Sequence, residues 1–285
     1  MVLLDGATGT ELGRRGVDTS TKLFSAAAML TGRGRALLHE VHTEQLEAGA
    51  QVITANTFRT NRRAAGPGFP RLAEDAVRIA RAAAAPFGAR VAGSMAPVAD
   101  CYRPGLRPPP EVARAEHAEH AQVLRDAGCD LLLVETVAAA DEGLAAVAAA
   151  AATGLPVWVS AMAAPATGGA RGGQAATMLS GDDLAAFFAA ARGLGAAAAL
   201  INCVPCDGVD FALAAAASCG LPFGAYAHMG EIDPASGWPS TEVLSPVGYR
   251  ERVERWLERG ATIAGGCCGT TAAHIRALAS LSPRA

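Results

Sequence analysis

A chain of 285 residues with a formal net charge of -3 and only 18% charged residues has no basic block of the kind that grips nucleic acid or an anionic membrane surface. The opening Met1-Val2-Leu3-Leu4-Asp5-Gly6 lacks a basic region leading into a long apolar run, and Arg192 breaks the longest candidate membrane span, so a cytoplasmic protein of small-molecule chemistry is expected. Seven cysteines, an odd number without a secretion signal, point to metal or catalytic thiolates rather than a disulfide framework.

Taken in chain order, short β-rich runs alternate with stretches rich in Ala, Leu, Glu and Arg. Strands are expected at Val2 to Asp5, Gln51 to Ala55, Arg90 to Ser94, Asp130 to Glu135, Pro156 to Ala161, Ala197 to Asn202, Pro222 to Ala227 and Thr262 to Gly265. Between and after them fall helices near 35–49, 70–85, 111–127, 140–152, 181–193, 207–218, 246–258 and 271–280. Gly49, Gly128, Gly154 and Gly220 stand where helices stop, and Ser180 and Ser245-Pro246 where they start. Eight βα units with strands apolar on both faces predict a closed parallel barrel, a single (β/α)8 TIM barrel domain over 1–285. An open doubly wound sheet is the rival, disfavoured by the lack of a Gly-rich dinucleotide turn after strand one. Aromatics are 5% against 51% hydrophobic residues, so alanine runs such as Ala148 to Ala152 fill helices and core. Two long connections, Ala96 to Pro110 and Ala163 to Ser180, follow strands and read as substrate walls or tolerated insertions at the C-terminal mouth.

Residues at or just past the strand ends are Asp5, Asn56, Ser94, Glu135, Ser160, Cys203, His228 and Cys267-Cys268. In a barrel these ring one mouth, so positions far apart in sequence converge. Gly265-Gly266-Cys267-Cys268-Gly269-Thr270 is the strongest local signal. Adjacent side chains on a straight strand point to opposite faces, so two neighbouring cysteines reach one ion only where the backbone turns, which glycine permits. Cys203 closes strand six and offers a third sulfur. Three thiolates suit Zn2+ and leave a fourth position for substrate. Cys206, in Cys203-Val204-Pro205-Cys206, could instead complete a closed four-cysteine structural or redox-sensing site. Cys101, Cys129 and Cys219 read as core or surface residues.

Asp5-Gly6-Ala7-Thr8-Gly9-Thr10-Glu11-Leu12 has neither the Lys-Ser/Thr of a P-loop nor dinucleotide glycine spacing. Asp5 could hold a substrate ammonium while amides freed by Gly6 take its carboxylate; otherwise Asp5 caps the turn. Glu135 ends an apolar run and must be paired or face the mouth, where it would add a second anion for a cationic ligand. His39, His42, His117 and His120 read as solvated residues of outer helices, and His274 as a capping or packing residue. A lyase or hydrolase acting through Glu135 and His228 is a further rival.

In order and spacing, Asp5-Gly6 with Gly9-Thr10-Glu11-Leu12, Gly49-Ala50 leading to Thr54-Ala55-Asn56-Thr57-Phe58, Glu135-Thr136, Ile201-Asn202-Cys203 and Gly265 to Thr270 resemble the homocysteine S-methyltransferase family over nearly the whole chain. The resemblance implies a (β/α)8 barrel, zinc on Cys203, Cys267 and Cys268, and an amino-acid thiol held partly by Asp5 and Glu135. It implies methyl transfer to homocysteine from an onium donor such as S-methylmethionine or S-adenosylmethionine, giving methionine. The chain departs from the family at Ala227-His228-Met229-Gly230-Glu231 and at Ser94-Met95-Ala96-Pro97-Val98-Ala99-Asp100, segments that border the donor side.

Overall fold

A computed structural model describes residues 1–165, 175–229 and 243–281. The strands are β1 (Val2–Leu3), β2 (Val52–Ala55), β3 (Arg90–Met95), β4 (Leu131–Val137), β5 (Val157–Ala161), β6 (Ala196–Asn202), β7 (Phe223–Tyr226) and β8 (Ile263–Ala264). They form one parallel sheet in the order β1-β8-β7-β6-β5-β4-β3-β2. The ring is completed between β1 and β2 by a single bridge, Leu4 to Val52, with Gln51 N donating to Leu3 O at 2.8 Å and Asp5 N to Val52 O at 3.1 Å. The expected TIM barrel is what the chain builds.

The helices are α1 (Gly9–Arg14), α2 (Gly32–Glu47), α3 (Arg62–Ala65), α4 (Phe69–Ala84), α5 (Pro110–Asp126), α6 (Ala140–Ala151), α7 (Leu184–Gly193), α8 (Cys206–Ser218), α9 (Pro246–Glu258) and α10 (Ala272–Ala279). Eight of them follow the eight strands as the sequence pattern implies; α1, α3 and a 3-10 turn at Phe24–Leu30 are extra pieces within the first two βα connections. They escape a periodicity search because each is too short to show a repeating apolar face.

Strand alternation sorts the core into two shells. Leu4, Val52, Ala92, Leu131, Leu133, Trp158, Ala198, Leu200, Tyr226 and Ile263 pack together inside the barrel. Their neighbours in sequence, among them Leu3, Ile53, Val91, Leu132, Val134, Val159, Ile201 and Ala225, face the helices. No described helix is long and apolar enough to cross a membrane.

Three histidines are not where the sequence reading put them. His39 is exposed, but His42, His117 and His120 are 0%, 1% and 3% exposed. Helices α2 and α5 are flanked by α4 and α6, and that lateral packing covers faces a single amphipathic helix would leave wet. His120 Nε2 lies 3.3 Å from Thr60 Oγ1 and His117 Nε2 3.3 Å from Glu142 Oε1. Burial pushes His42 and His120 down to about 3, so both stay neutral.

Candidate active site

The C-terminal mouth of the barrel opens into a cavity of about 550 Å³, within the range typical of small-molecule sites. Its wall includes Asp5, Gly6, Glu135, Cys203, Cys267 and Cys268, contributed by the ends of β1, β4, β6 and β8. Residues up to 263 positions apart thus meet, as Ala7 N donating to Thr270 Oγ1 at 3.1 Å shows directly.

Ligand atoms of Cys203, Cys267 and Cys268 lie within 4.8 Å of one another, and none of the seven cysteines is in a disulfide. Cys203 follows β6 with φ 55°, a left-handed conformation that costs a non-glycine residue about 1–3 kcal/mol. Asn202, fully buried beside it, helps to impose that geometry: its Oδ1 accepts from Thr136 N at 3.1 Å and Ser160 Oγ at 2.7 Å, and its Nδ2 donates to Thr136 Oγ1 at 2.9 Å. Thr136 is itself left-handed, with φ 59°, at the shift of register between Val134 and Val137. One amide therefore locks the ends of β4, β5 and β6 together.

The vicinal pair sits on a turn held at almost every polar group. Cys267 N donates to Ala227 O at 2.9 Å, Met229 N to Cys268 O at 2.7 Å, Gly266 N to Asp5 O at 2.9 Å and Thr270 N to Cys267 O at 3.1 Å. Gly269 makes the turn with φ 84°, and a Cβ there would meet Met229 O at 1.9 Å. Cys206 begins α8 and stands outside the three-sulfur group, so the closed four-cysteine arrangement is not formed. The Cys268 thiol is held well below its ordinary range by hydrogen bonds from Cys203 and Cys267, while Cys267 is pushed up by its hydrogen bonds to Cys203 and Cys268, so one sulfur of the three carries the readiness to ionise.

The two carboxylates face the same cavity. Asp5 is 4% exposed; its Oδ2 accepts from Thr54 N at 2.8 Å and its Oδ1 from Thr54 Oγ1 at 2.8 Å. Burial pushes its pKa up to about 7, the Thr54 bonds opposing and Glu135 adding to the rise. Glu135 accepts from Ser94 Oγ on one oxygen and from Tyr226 Oη at 3.0 Å on the other, and burial lifts it to about 6. Each carboxylate keeps lone pairs beyond those bonds. Glu135 does not end its strand: β4 runs two residues further, through the irregular Thr136. Gly6 lines the cavity, but its amide donates to Gln45 Oε1 at 3.2 Å and that of Ala7 to Thr270, so these amides are already engaged.

Tyr102 and Tyr226 were missed by sequence reasoning. Tyr102, in the long β3–α5 connection, sits with its Oη 3.0 Å from Cys203 Sγ, and Val98, Asp100 and Cys101 beside it also line the cavity. That connection is a site wall. Tyr226 read as one more apolar strand residue, although a buried tyrosine needs a partner for its hydroxyl. His228 is buried with neither ring nitrogen hydrogen-bonded among the described residues; burial lowers its pKa. His274 caps α10, its Nδ1 accepting from Thr271 N at 3.1 Å. The connection from Ala163 to Ser180 and the segment Ala227 to Glu231 lie partly outside the described residues.

The family model described as homocysteine S-methyltransferase matches residues 2–282. The chain is 30% identical to homocysteine S-methyltransferase of Escherichia coli (strain K12), over 99% of this chain and 95% of that one. It is 26% identical to selenocysteine Se-methyltransferase of Brassica oleracea var. italica, covering 97% and 87%. The crystal structure of the metallated homocysteine methyltransferase MmuM from Escherichia coli superimposes with a TM-score of 0.78 at 26% identity, over 99% and 96% of the two chains.

Proposed function

The chain belongs to the homocysteine S-methyltransferase family, and from that premise we propose that it moves a methyl group from an onium donor, S-methylmethionine or S-adenosylmethionine, to the thiol of homocysteine, giving methionine. The observation that carries this is the group of three cysteine sulfurs gathered in the wall of a cavity with two carboxylates.

Three soft donors, with no fourth protein ligand grouped with them among the described residues, suit zinc, which favours tetrahedral sulfur ligation. Held by Cys203, Cys267 and Cys268, zinc would supply the acidity that strips a substrate thiol of its proton at neutral pH. The chain's own residues do the rest. Asp5 and Glu135, fixed by Thr54, Ser94 and Tyr226, take the substrate ammonium and aim its sulfur at the donor methyl. In the transfer the thiolate lone pair bonds the methyl carbon while the donor's carbon–sulfur bond breaks, and the donor leaves as a neutral thioether. No protein acid or base is required, and among the described residues Glu135 and His228 share no hydrogen bond that would make them an acid/base pair. Tyr102 Oη, 3.0 Å from Cys203 Sγ, can donate to that sulfur and temper its charge.

The test is zinc-replete protein with homocysteine and a panel of methyl donors, methionine being followed with and without a chelator. Selenocysteine belongs in the acceptor panel, since a relative is named for methylating it. Methionine should form from at least one sulfonium donor and cease on chelation, and Cys268→Ala should lose zinc and turnover together. A fully active Cys268→Ala protein, or turnover indifferent to chelation, overturns the assignment.

A further inference from the structure

The cavity wall carries both signs of charge, the anionic groups buried and the cationic ones more exposed. Its buried end holds Asp5, Glu135 and the three sulfurs. The wall toward solvent includes Lys22, the only lysine in 285 residues, and Arg59. Lys22 is exposed and makes no ion pair among the described residues. Arg59 is half-buried and rigidly placed: its Nη1 donates to Ala99 O at 2.6 Å, and its guanidinium lies 5.3 Å from the centroid of the Phe58 ring. Its other N–H groups have no hydrogen-bond partner among the described residues. Two further charges line the same wall but are already matched. Arg63 Nε is paired with Glu116 at 2.7 Å, and Asp100 accepts from Tyr102 N at 2.9 Å and faces Arg103 at 3.7 Å. Among the described residues, the unmatched charges of this wall are therefore positive.

We propose that Lys22 and Arg59 form a recognition site for the carboxylate of the methyl donor, selecting an onium amino acid over an onium without a carboxylate. The inference rests on the methyl-transfer assignment above. A sulfonium amino acid carries a positive sulfur at one end and a carboxylate at the other. One orientation brings the sulfonium toward the anionic groups, where its methyl must be delivered, and sets the carboxylate, with its neighbouring ammonium, toward Lys22 and Arg59. A planar guanidinium held on an aromatic ring, with free N–H groups, is preorganised for a carboxylate. The exposed, flexible Lys22 adds a weaker, salt-screened attraction that also draws the anionic group to the mouth.

The experiment is calorimetric binding of S-methylmethionine, of the same sulfonium with its carboxylate removed (3-aminopropyl dimethylsulfonium), and of homocysteine, to zinc-loaded wild type and variants. Wild type should prefer the carboxylated sulfonium by about tenfold, and Arg59→Met should erase most of that preference. Lys22→Met should weaken the carboxylated ligand by about threefold, as suits an exposed charge. Neither variant should weaken binding of the decarboxylated sulfonium, whose ammonium the two cations repel, or alter that of homocysteine, while Lys22→Arg and Arg59→Lys should restore part of the preference. Lys22 is exposed and has no hydrogen bond or ion pair among the described residues, so its substitution keeps the test alive should Arg59→Met misfold. Equal weakening of both sulfonium ligands, a shift in homocysteine binding instead, or a wild type that fails to bind or to distinguish the two sulfoniums overturns the proposal. Because binding is read, a protein that shows this discrimination yet transfers no methyl refutes the methyltransferase assignment alone.

Discussion

Asp5 and Glu135 are pushed up by burial, to about 7 and about 6, and each has a consequence on two sides. An acid whose folded pKa exceeds its unfolded value, here 3.8 for Asp5, binds more protons folded than unfolded between the two. Its contribution to stability is thus fully present below pH 4 or so and is lost as pH rises through about 7. His42 and His120, held neutral at about 3, act in the opposite sense between about 3 and their unfolded value of 6.5, so the carboxylate contribution has to be read as a difference. The melting temperature of metal-free wild type relative to Asp5→Asn should fall from pH 5 to pH 8. Over the same interval the affinity for homocysteine should rise in wild type, as the ammonium gains two ionised acceptors, and rise less in Asp5→Asn, where Glu135 alone ionises. A difference in melting temperature that grows with pH would contradict the burial account. At Asn202 the expectation is structural: Asn202→Ala strips three buried hydrogen bonds, costs about 2–4 kcal/mol, and frees Cys203 and Thr136 from the left-handed conformations they hold. Zinc content measured on the purified variant should drop with stability, and a variant of wild-type melting temperature and full zinc content would remove Asn202 from the scheme. Residues such as Cys203, Cys267, Glu135 and Asp5 could be singled out in sequence because polar groups at or near the ends of apolar strands have few other uses. Their supports were not: Tyr226 looks like core, Thr54 like any β-branched strand residue, and Tyr102 lies in a connection whose path no periodicity fixes.

At the scale of the element, the close approaches matter more than the propensities. Gly224 in β7 lies so near its neighbour that an added Cβ would sit 1.8 Å from Ile263 O in β8. Glycine within a strand weakens it but here allows the contact that brings β8 against β7. Gly224→Ala should destabilise the chain by about 3 kcal/mol or more, a drop of roughly 6–12 °C in melting temperature; a loss below 2 °C would show that the strands can part without harm. Glycines closing helices, by contrast, were read straight from sequence, because a helix stop needs only a local left-handed residue. Strand ends were read less well. The first strand stops at Leu3 and the last at Ala264, short of Asp5 and Gly265, although single bonds to the neighbouring strands continue beyond both ends, from Leu4 N to Ala264 O, Asp5 N to Val52 O and Gly265 N to Ala225 O.

For the whole molecule, eightfold alternation of strand and helix was enough to foresee a closed parallel barrel, since two-sided apolar strands admit few other packings. What alternation could not foresee is how unevenly the ring is sewn. β4, β5 and β6 share long ladders and the Asn202 clasp, whereas β1 and β8 are two residues each and β1 touches β2 through one bridge. Asp5 and the Cys267-Cys268 turn both hang on this thin side, tied to each other by Gly266 N to Asp5 O at 2.9 Å. Amide hydrogen exchange should therefore be faster at Leu4 and Gly266 than at Leu132, Val159 and Leu200, and equal protection on the two sides would argue against a weak seam. Should the seam part first on warming, catalysis would fade while circular dichroism still reports an intact scaffold. Cooling in the presence of zinc would then bring the enzyme back, because what had come undone was a clasp rather than a fold.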